Sequence, residues 1–110
     1  MPSIDFLPGT LDLLVLRILE EGPLHGYAIA RRIESLSRDV LHVDQGSLYP
    51  ALYRLERSDL VRSKWGKSET NRRVRLFRLT PAGRRRLEQE IESWDAFVEA
   101  MGRVVRSDAR

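Results

Sequence analysis

Between Val61 and Leu79 stand seven basic side chains, Arg62, Lys64, Lys67, Arg72, Arg73, Arg75 and Arg78, against a single acid, Glu69. This segment carries +6, and since the whole chain carries +3, the remainder sums to −3. Positive charge gathered on one stretch is the footprint of an element that contacts phosphates. A second constellation precedes it in Asp44–Leu60, DQGSLYPALYRLERSDL. Leu48, Ala51, Leu52 and Leu55 recur at three- and four-residue steps and so share one side of a helix. The other side holds Gly46, Pro50, Tyr53 and Arg57, flanked by Ser47, Tyr49 and Arg54. With Ser47 expected as the N-cap, Pro50 falls in the first turn, where the missing N–H does no harm. A helix start that offers free N–H groups, tyrosines and arginines to solvent suits a phosphate-lined groove. An ordinary amphipathic helix with half-exposed tyrosines is the competing use of the same residues.

Other chemistry is poorly provided for. Cysteine is absent, which removes disulfides, thiolate catalysis and cysteine-ligated zinc. The two histidines, His25 and His42, have no neighbouring metal-ligand pattern, and neither a glycine-rich phosphate loop nor a nucleophile elbow occurs. No enzyme activity, cofactor or metal is therefore expected. No apolar run is long enough to span a bilayer, and Asp5 interrupts any signal-like start, so the expected setting is the cytoplasm, away from membranes. At 110 residues, 42% hydrophobic and 32% charged, the chain has the size and composition of one folded domain.

The elements that position these residues follow from periodicity. Met1 to Gly9 form a lead-in in which Phe6 and Leu7 are expected to pack. Thr10 is placed to cap a first helix, LDLLVLRILEE, that stops at Gly22-Pro23. That helix is apolar nearly all round, which calls for cover on several sides, either from its own domain or from a second chain. Leu24 to Ser37 reads as a second helix, with Ile29 or Ala30, Ile33 and Leu36 inward and Arg31, Arg32 and Glu34 outward. After the loop RDVLHVDQ comes the tyrosine helix, and three helices in this order match helix-turn-helix topology. LVRSKW and RRVRLFRL then alternate as strands, with Val61, Ser63 and Trp65 on one face and Phe77 and Leu79 on one face of the second run. GKSETN joins them, giving a hairpin with a basic tip, the wing of a winged helix. Thr80-Pro81 opens a last helix reaching about Val105. Its Leu87, Ile91, Trp94, Val98, Met101 and Val105 are spaced as a heptad seam, and Phe97 and Val104 widen it. So short a seam is marginal alone, so it is expected to pair across a two-fold while leaning on the first helix, giving a homodimer. The fold class is α+β, mostly α: a winged helix-turn-helix over residues 1–80 and a C-terminal dimerisation helix over 81–110. The expected dimer residues are Leu11, Leu14, Leu87, Ile91, Trp94, Phe97, Val98, Met101 and Val105. The tail from Arg106 to Arg110 is expected to fray.

With LDLLVLRILEEGPLHGYAIARRIE, GSLYPALYRLE, LVRSKW and SETNRRVRLFRLTPAGRRRL in this order, the sequence resembles the PadR family of bacterial transcriptional regulators. It is similar to the subfamily with a single terminal helix. The resemblance implies a winged helix-turn-helix dimer that binds a palindromic promoter site, usually as a repressor. It assigns DNA contact to Gln45, Ser47, Tyr49 and Pro50 on the recognition helix and to Lys67, Arg72 and Arg73 on the wing tip. His25, Gly26 and Tyr27 resemble the family's other phosphate-facing turn. One departure is the tip sequence KSETN, where many relatives are glycine-rich and where Glu69 opposes phosphate.

The expected mechanism places two recognition helices in successive major grooves about 34 Å apart. Tyr49, Ser47 and the first-turn N–H groups hold phosphates, with Tyr53 beside them. Gln45 and Arg54 are candidate base readers, though Arg54 can equally pair with Glu56 or Asp59 or serve the rim of the core. Lys64, Lys67, Arg72 and Arg73 add salt-sensitive affinity. Trp94, Phe97 and Met101 could hold a small flat hydrophobic or aromatic effector, or could simply be dimer core. The expected partners are thus double-stranded DNA, a second copy of the chain and such an effector. The alternative is a winged-helix protein-interaction module without DNA binding.

Overall fold

Three of the four helices begin at a side chain that accepts one of their first backbone N–H groups. The structure, a computed structural model, describes residues 9–108, so the lead-in with Phe6 and Leu7 lies outside the described residues. Helix α1 (Thr10–Leu19) starts after Gly9, which sits at the cap position with φ 85°. Thr10 is therefore the first helical residue and not the cap. Helix α2 (Gly26–Leu36) is capped by His25, whose Nδ1 accepts from the Ala28 N–H at 3.3 Å. The second helix thus opens two residues later than its sequence pattern indicates.

Helix α3 (Gln45–Arg57) is capped by Asp44 and not by Ser47: the Asp44 carboxylate accepts the Ser47 N–H at 2.8 Å. A carboxylate at this position also complements the positive end of the helix dipole. With the start moved back, Pro50 lies in the second turn, where it cannot donate to the Gly46 carbonyl. Gly46 is exposed, so water can serve that oxygen. The helix ends with Asp59 in the left-handed region (φ 60°), while the Leu60 N–H returns to the Leu55 carbonyl at 2.9 Å.

Strands β1 (Val61–Lys67) and β2 (Arg73–Leu79) pair antiparallel, with Val61 opposite Leu79, Ser63 opposite Phe77 and Trp65 opposite Arg75. The alternation read from the sequence holds. Val61, Phe77 and Leu79 are buried at the base of the hairpin. Leu24, assigned to the second helix by its pattern, instead exchanges both backbone hydrogen bonds with Phe77, at 3.0 and 2.9 Å, on the other edge of β2. This single bridge makes β2 the middle of a minimal three-stranded arrangement and ties the wing to the turn before α2.

The core gathers Val15 and Leu16 of α1, Ile29 of α2, Leu48, Ala51 and Leu52 of α3, Val61, Phe77 and Leu87, all almost wholly excluded from water. All four apolar positions expected on the inner side of α3 are buried. Helix α1 is covered largely by its own domain: Leu11, Val15, Leu16, Ile18 and Leu19 are buried, while Leu13 and Leu14 stay partly open. On α2, both Ile29 and Ala30 face in, but Leu36 is 54% exposed at the helix end. Glu34, expected outward, turns back to accept the Val43 N–H at 3.1 Å, which holds the turn leading to α3.

Helix α4 (Pro81–Val105) starts at Thr80, whose hydroxyl donates to the Asp59 carbonyl at 2.7 Å and accepts from the Gly83 N–H at 2.9 Å. Only glycine fits at 83, because a Cβ there would lie 2.0 Å from the Leu60 carbonyl oxygen. The helix thus leaves the base of the hairpin backbone against backbone. Leu87 is the last buried residue along it, and the helix ends at Val105 with Arg106 as its cap. Beyond Leu87, the apolar side chains Ile91 to Val105 are 37–74% exposed in the single chain.

Candidate nucleic-acid interface

Two groups of the expected contact residues come together, one on helices and one on the wing. In the helical group, Tyr49 links α3 to α2: its ring covers Gly26, where a Cβ would lie 2.6 Å from the phenol oxygen. Gly26 is therefore buried, and its part in the site is to admit the tyrosine rather than to meet a ligand. Tyr49 is half-buried, and its ring centre lies 6.2 Å from that of exposed Tyr53. Tyr27 is exposed and stacks 6.4 Å from the His25 ring, which is engaged in capping α2. At the start of α3, Gln45, Ser47 and Pro50 are exposed. The Ser47 hydroxyl donates to Asp44 at 3.3 Å, and the Gln45 side chain makes no hydrogen bond among the described residues. The result is a polar and aromatic surface around two helix N-termini, each with its own side-chain cap.

Arg54 has a partner elsewhere: its half-exposed guanidinium bonds Asp12 of α1 at 2.9 Å, and not Glu56 or Asp59. Glu56 is taken up elsewhere, accepting a short hydrogen bond from the Ser63 hydroxyl of β1.

In the wing group, the seven cations divide by partner. Arg62 pairs with Asp59 at 3.2 Å, and Arg75 donates to Ser63 at 2.7 Å with Glu56 at 4.0 Å. Lys64, Lys67, Arg72, Arg73 and Arg78 have no acidic partner among the described residues and are all exposed. The hairpin therefore presents uncompensated charge, while the two paired arginines anchor its base to the end of α3. The tip is closed by the Ser68 N–H to the Arg72 carbonyl (2.8 Å) and the Asn71 N–H to the Ser68 carbonyl (2.9 Å). Glu69 stands exposed on it.

The structure adds two features that the sequence pattern left out. Trp65 is 56% exposed, yet Arg73 and Arg75 lie over its ring, with guanidinium carbons 4.5 and 5.6 Å from the centroid. The period-two alternation that put Trp65 on the inner face, together with arginines two apart on the facing strand, was a usable signal for this stack. Nothing local in the sequence signals the Asp12–Arg54 pair.

At the far end of the molecule, the expected dimer residues divide as well. Leu11 and Leu87 are already buried in their own chain, whereas Ile91, Trp94, Phe97, Val98, Met101 and Val105 are open and Leu14 partly so. A pocket of about 300 Å³ lies between the start of α1 and the middle of α4, walled by Thr10, Leu13, Glu90, Ser93, Trp94 and Phe97. Met101 is not on its wall. Among the described residues no cluster of histidine and carboxylate side chains could hold a metal ion, and no helix is long and apolar enough to cross a membrane.

Comparison with known proteins places this geometry. The chain is 48% identical over 96 residues to a 37.1 kDa transposon protein of Streptomyces fradiae, covering 87% of this chain but only 25% of that protein. It is 34% identical over 86 residues to a transcriptional regulator of Mycobacterium tuberculosis, covering 78% of this chain and 77% of the relative. A solved PadR family transcriptional regulator from Eggerthella lenta superposes with a TM-score of 0.75 at 30% identity, covering 91% of this chain and 85% of that one. The PadR-like transcriptional regulator family matches residues 15–89, from the middle of α1 through the wing and into α4. A mostly helical α+β fold, two helix N-termini beside a cationic hairpin and this match agree, and the chain belongs to the PadR-like family of transcriptional regulators, which are not enzymes.

Proposed function

We propose that two copies of this chain pair through α4 and bind a palindromic promoter operator, acting as a repressor that a small hydrophobic effector releases. The observation that carries the DNA contact is the set of five wing cations without an acidic partner among the described residues, on a chain that also exposes the start of α3. Gln45, Ser47 and Pro50 face the major groove in this reading, with Tyr27, Tyr49, Tyr53 and the two helix N-termini on the flanking phosphates. His25 supports that surface as the cap of α2. Lys64, Lys67, Arg72 and Arg73 neutralise backbone charge, with little sequence preference of their own.

Pairing is supported by the open stripe from Ile91 to Val105, which a second copy about a two-fold axis would cover in the same way on both chains. The pocket beside Trp94 and Phe97 is the place for a flat apolar effector, next to the helix that sets the distance between the two reading heads.

The test is a salt titration of binding to the gene's own promoter region. Replacing Arg72 and Arg73 together by alanine should flatten the slope of log K against log salt by about 0.9 for each phosphate no longer neutralised. An unchanged slope would take the wing off the DNA. No complex at low salt would favour a winged-helix module that binds protein instead.

A further inference from the structure

Trp65 is large, apolar and more than half exposed, and it stands in the most cationic part of the molecule. The core does not need it, since Val61, Phe77 and Leu79 already close the inner face of the hairpin. Its surroundings are ordered in a chain. The Glu56 carboxylate of α3 accepts from the Ser63 hydroxyl, which accepts from Arg75 Nε at 2.7 Å. Arg75 lies against the Trp65 ring from the directly opposing position, and Arg73, two residues along the same face, lies closer still at 4.5 Å. Only the last member of the series is free: Arg75 is held by Ser63 and Glu56, whereas Arg73 has no acidic partner among the described residues. An aromatic face steadies a guanidinium by attraction to the ring quadrupole and leaves the in-plane N–H donors unoccupied. That is how a phosphate-binding arginine is prepared in advance, since a long side chain otherwise loses much rotamer freedom on contact.

We propose that Trp65 is the positioning residue for Arg73, holding its guanidinium ready for a DNA phosphate and linking that contact, through Arg75 and Ser63, to the end of the recognition helix. This rests on the DNA-binding reading, and the experiment separates the two. Fluorescence anisotropy with a labelled mixed-sequence duplex is followed across salt for the full chain and for Trp65→Leu, Trp65→Phe, Arg73→Ala and the Trp65→Leu/Arg73→Ala double variant. Trp65→Leu should weaken binding about three- to tenfold and lower the salt slope by about 0.9, as Arg73→Ala does. The double variant should bind no more weakly than Arg73→Ala alone, and Trp65→Phe should recover most of the affinity. Additive effects in the double variant, or weaker binding by Trp65→Leu with the parent's salt slope, would overturn the assignment while leaving DNA binding intact. If the parent chain fails to bind the duplex at low salt, the DNA reading and this assignment fall together. Trp65 is exposed, so the variants should keep the parent's thermal melting, and Trp65→Phe serves as the control should Trp65→Leu unfold.

Discussion

Phe77 on β2 is wholly enclosed by the core, whereas Phe97 on α4 is half exposed, with the Trp94 ring 6.2 Å away as its aromatic neighbour. The contrast extends to the regions around them. In the winged domain, most apolar residues are buried, with Leu36 and Trp65 as exposed exceptions, and the wing is pinned to α3 through Ser63 and Arg75. In α4 beyond Leu87, the chain makes a regular helix whose apolar stripe is left 37–74% exposed by the described residues, with only the start of α1 near its middle. One region buries most of its apolar side chains within the single chain, and the other leaves a stripe of them open. Burial therefore has to be judged per region: the same residue type is closed off in one place and left open in the other.

Substitutions can break or sharpen this contrast. Phe77→Ala should destabilise the chain by about 3–5 kcal/mol, read as a lower urea midpoint. Phe97→Ala should instead weaken pairing by about a hundredfold in sedimentation, with little change in the unfolding of the single chain. Association that survives Phe97→Ala would mean that the stripe serves something other than a second copy. The two helical glycines of α4 divide in the same way. Gly83→Ala should cost about 1–3 kcal/mol, because the added methyl meets the Leu60 carbonyl. Gly102→Ala, in the open half, meets only the tip of Arg106 at 3.8 Å and should stabilise the helix by about 0.5–1 kcal/mol.

The smallest expected effect lies on the surface. The bonds from Arg32 to Glu21, at 2.9 and 3.2 Å, hold the Glu21 carboxyl below its ordinary range and raise Arg32. A depressed carboxylate contributes stability above its unfolded pKa and loses it as pH falls through the folded value. Both groups are exposed, so Glu21→Gln should leave the neutral-pH melting temperature almost unchanged and remove only a slight acid dependence.

The parts legible in the sequence were those governed by local spacing. The inner face of α3, the alternation of the hairpin and the Thr80-Pro81 start each depend on neighbours within a few residues. What escaped was set by distant partners or by competing local signals. Arg54 had acids nearby at Glu56 and Asp59, yet its partner is Asp12, 42 residues away. Leu24 looks like the start of a helix and becomes a bridge because Phe77 arrives beside it. Ser47 and Asp44 are both good caps, and the aspartate prevailed by accepting the serine's own N–H. In the candidate site, the exposure of Gln45, Ser47 and the wing cations followed from the local pattern, but the partners of the larger side chains did not. Tyr49 and Arg54 had the right chemistry, and packing against Gly26 and Asp12 decided what each was free to do.

Thr80 clamps α4 to the carbonyl that precedes the hairpin, so helix and wing share one rigid root. At about 1.5 Å per residue, the 25-residue helix is a lever some 37 Å long. A tilt of about 5° at that root sweeps its tip through about 3 Å, close to the rise of one DNA base pair. A small displacement of the tip is therefore equivalent to a rotation of only a few degrees of the root that carries the wing.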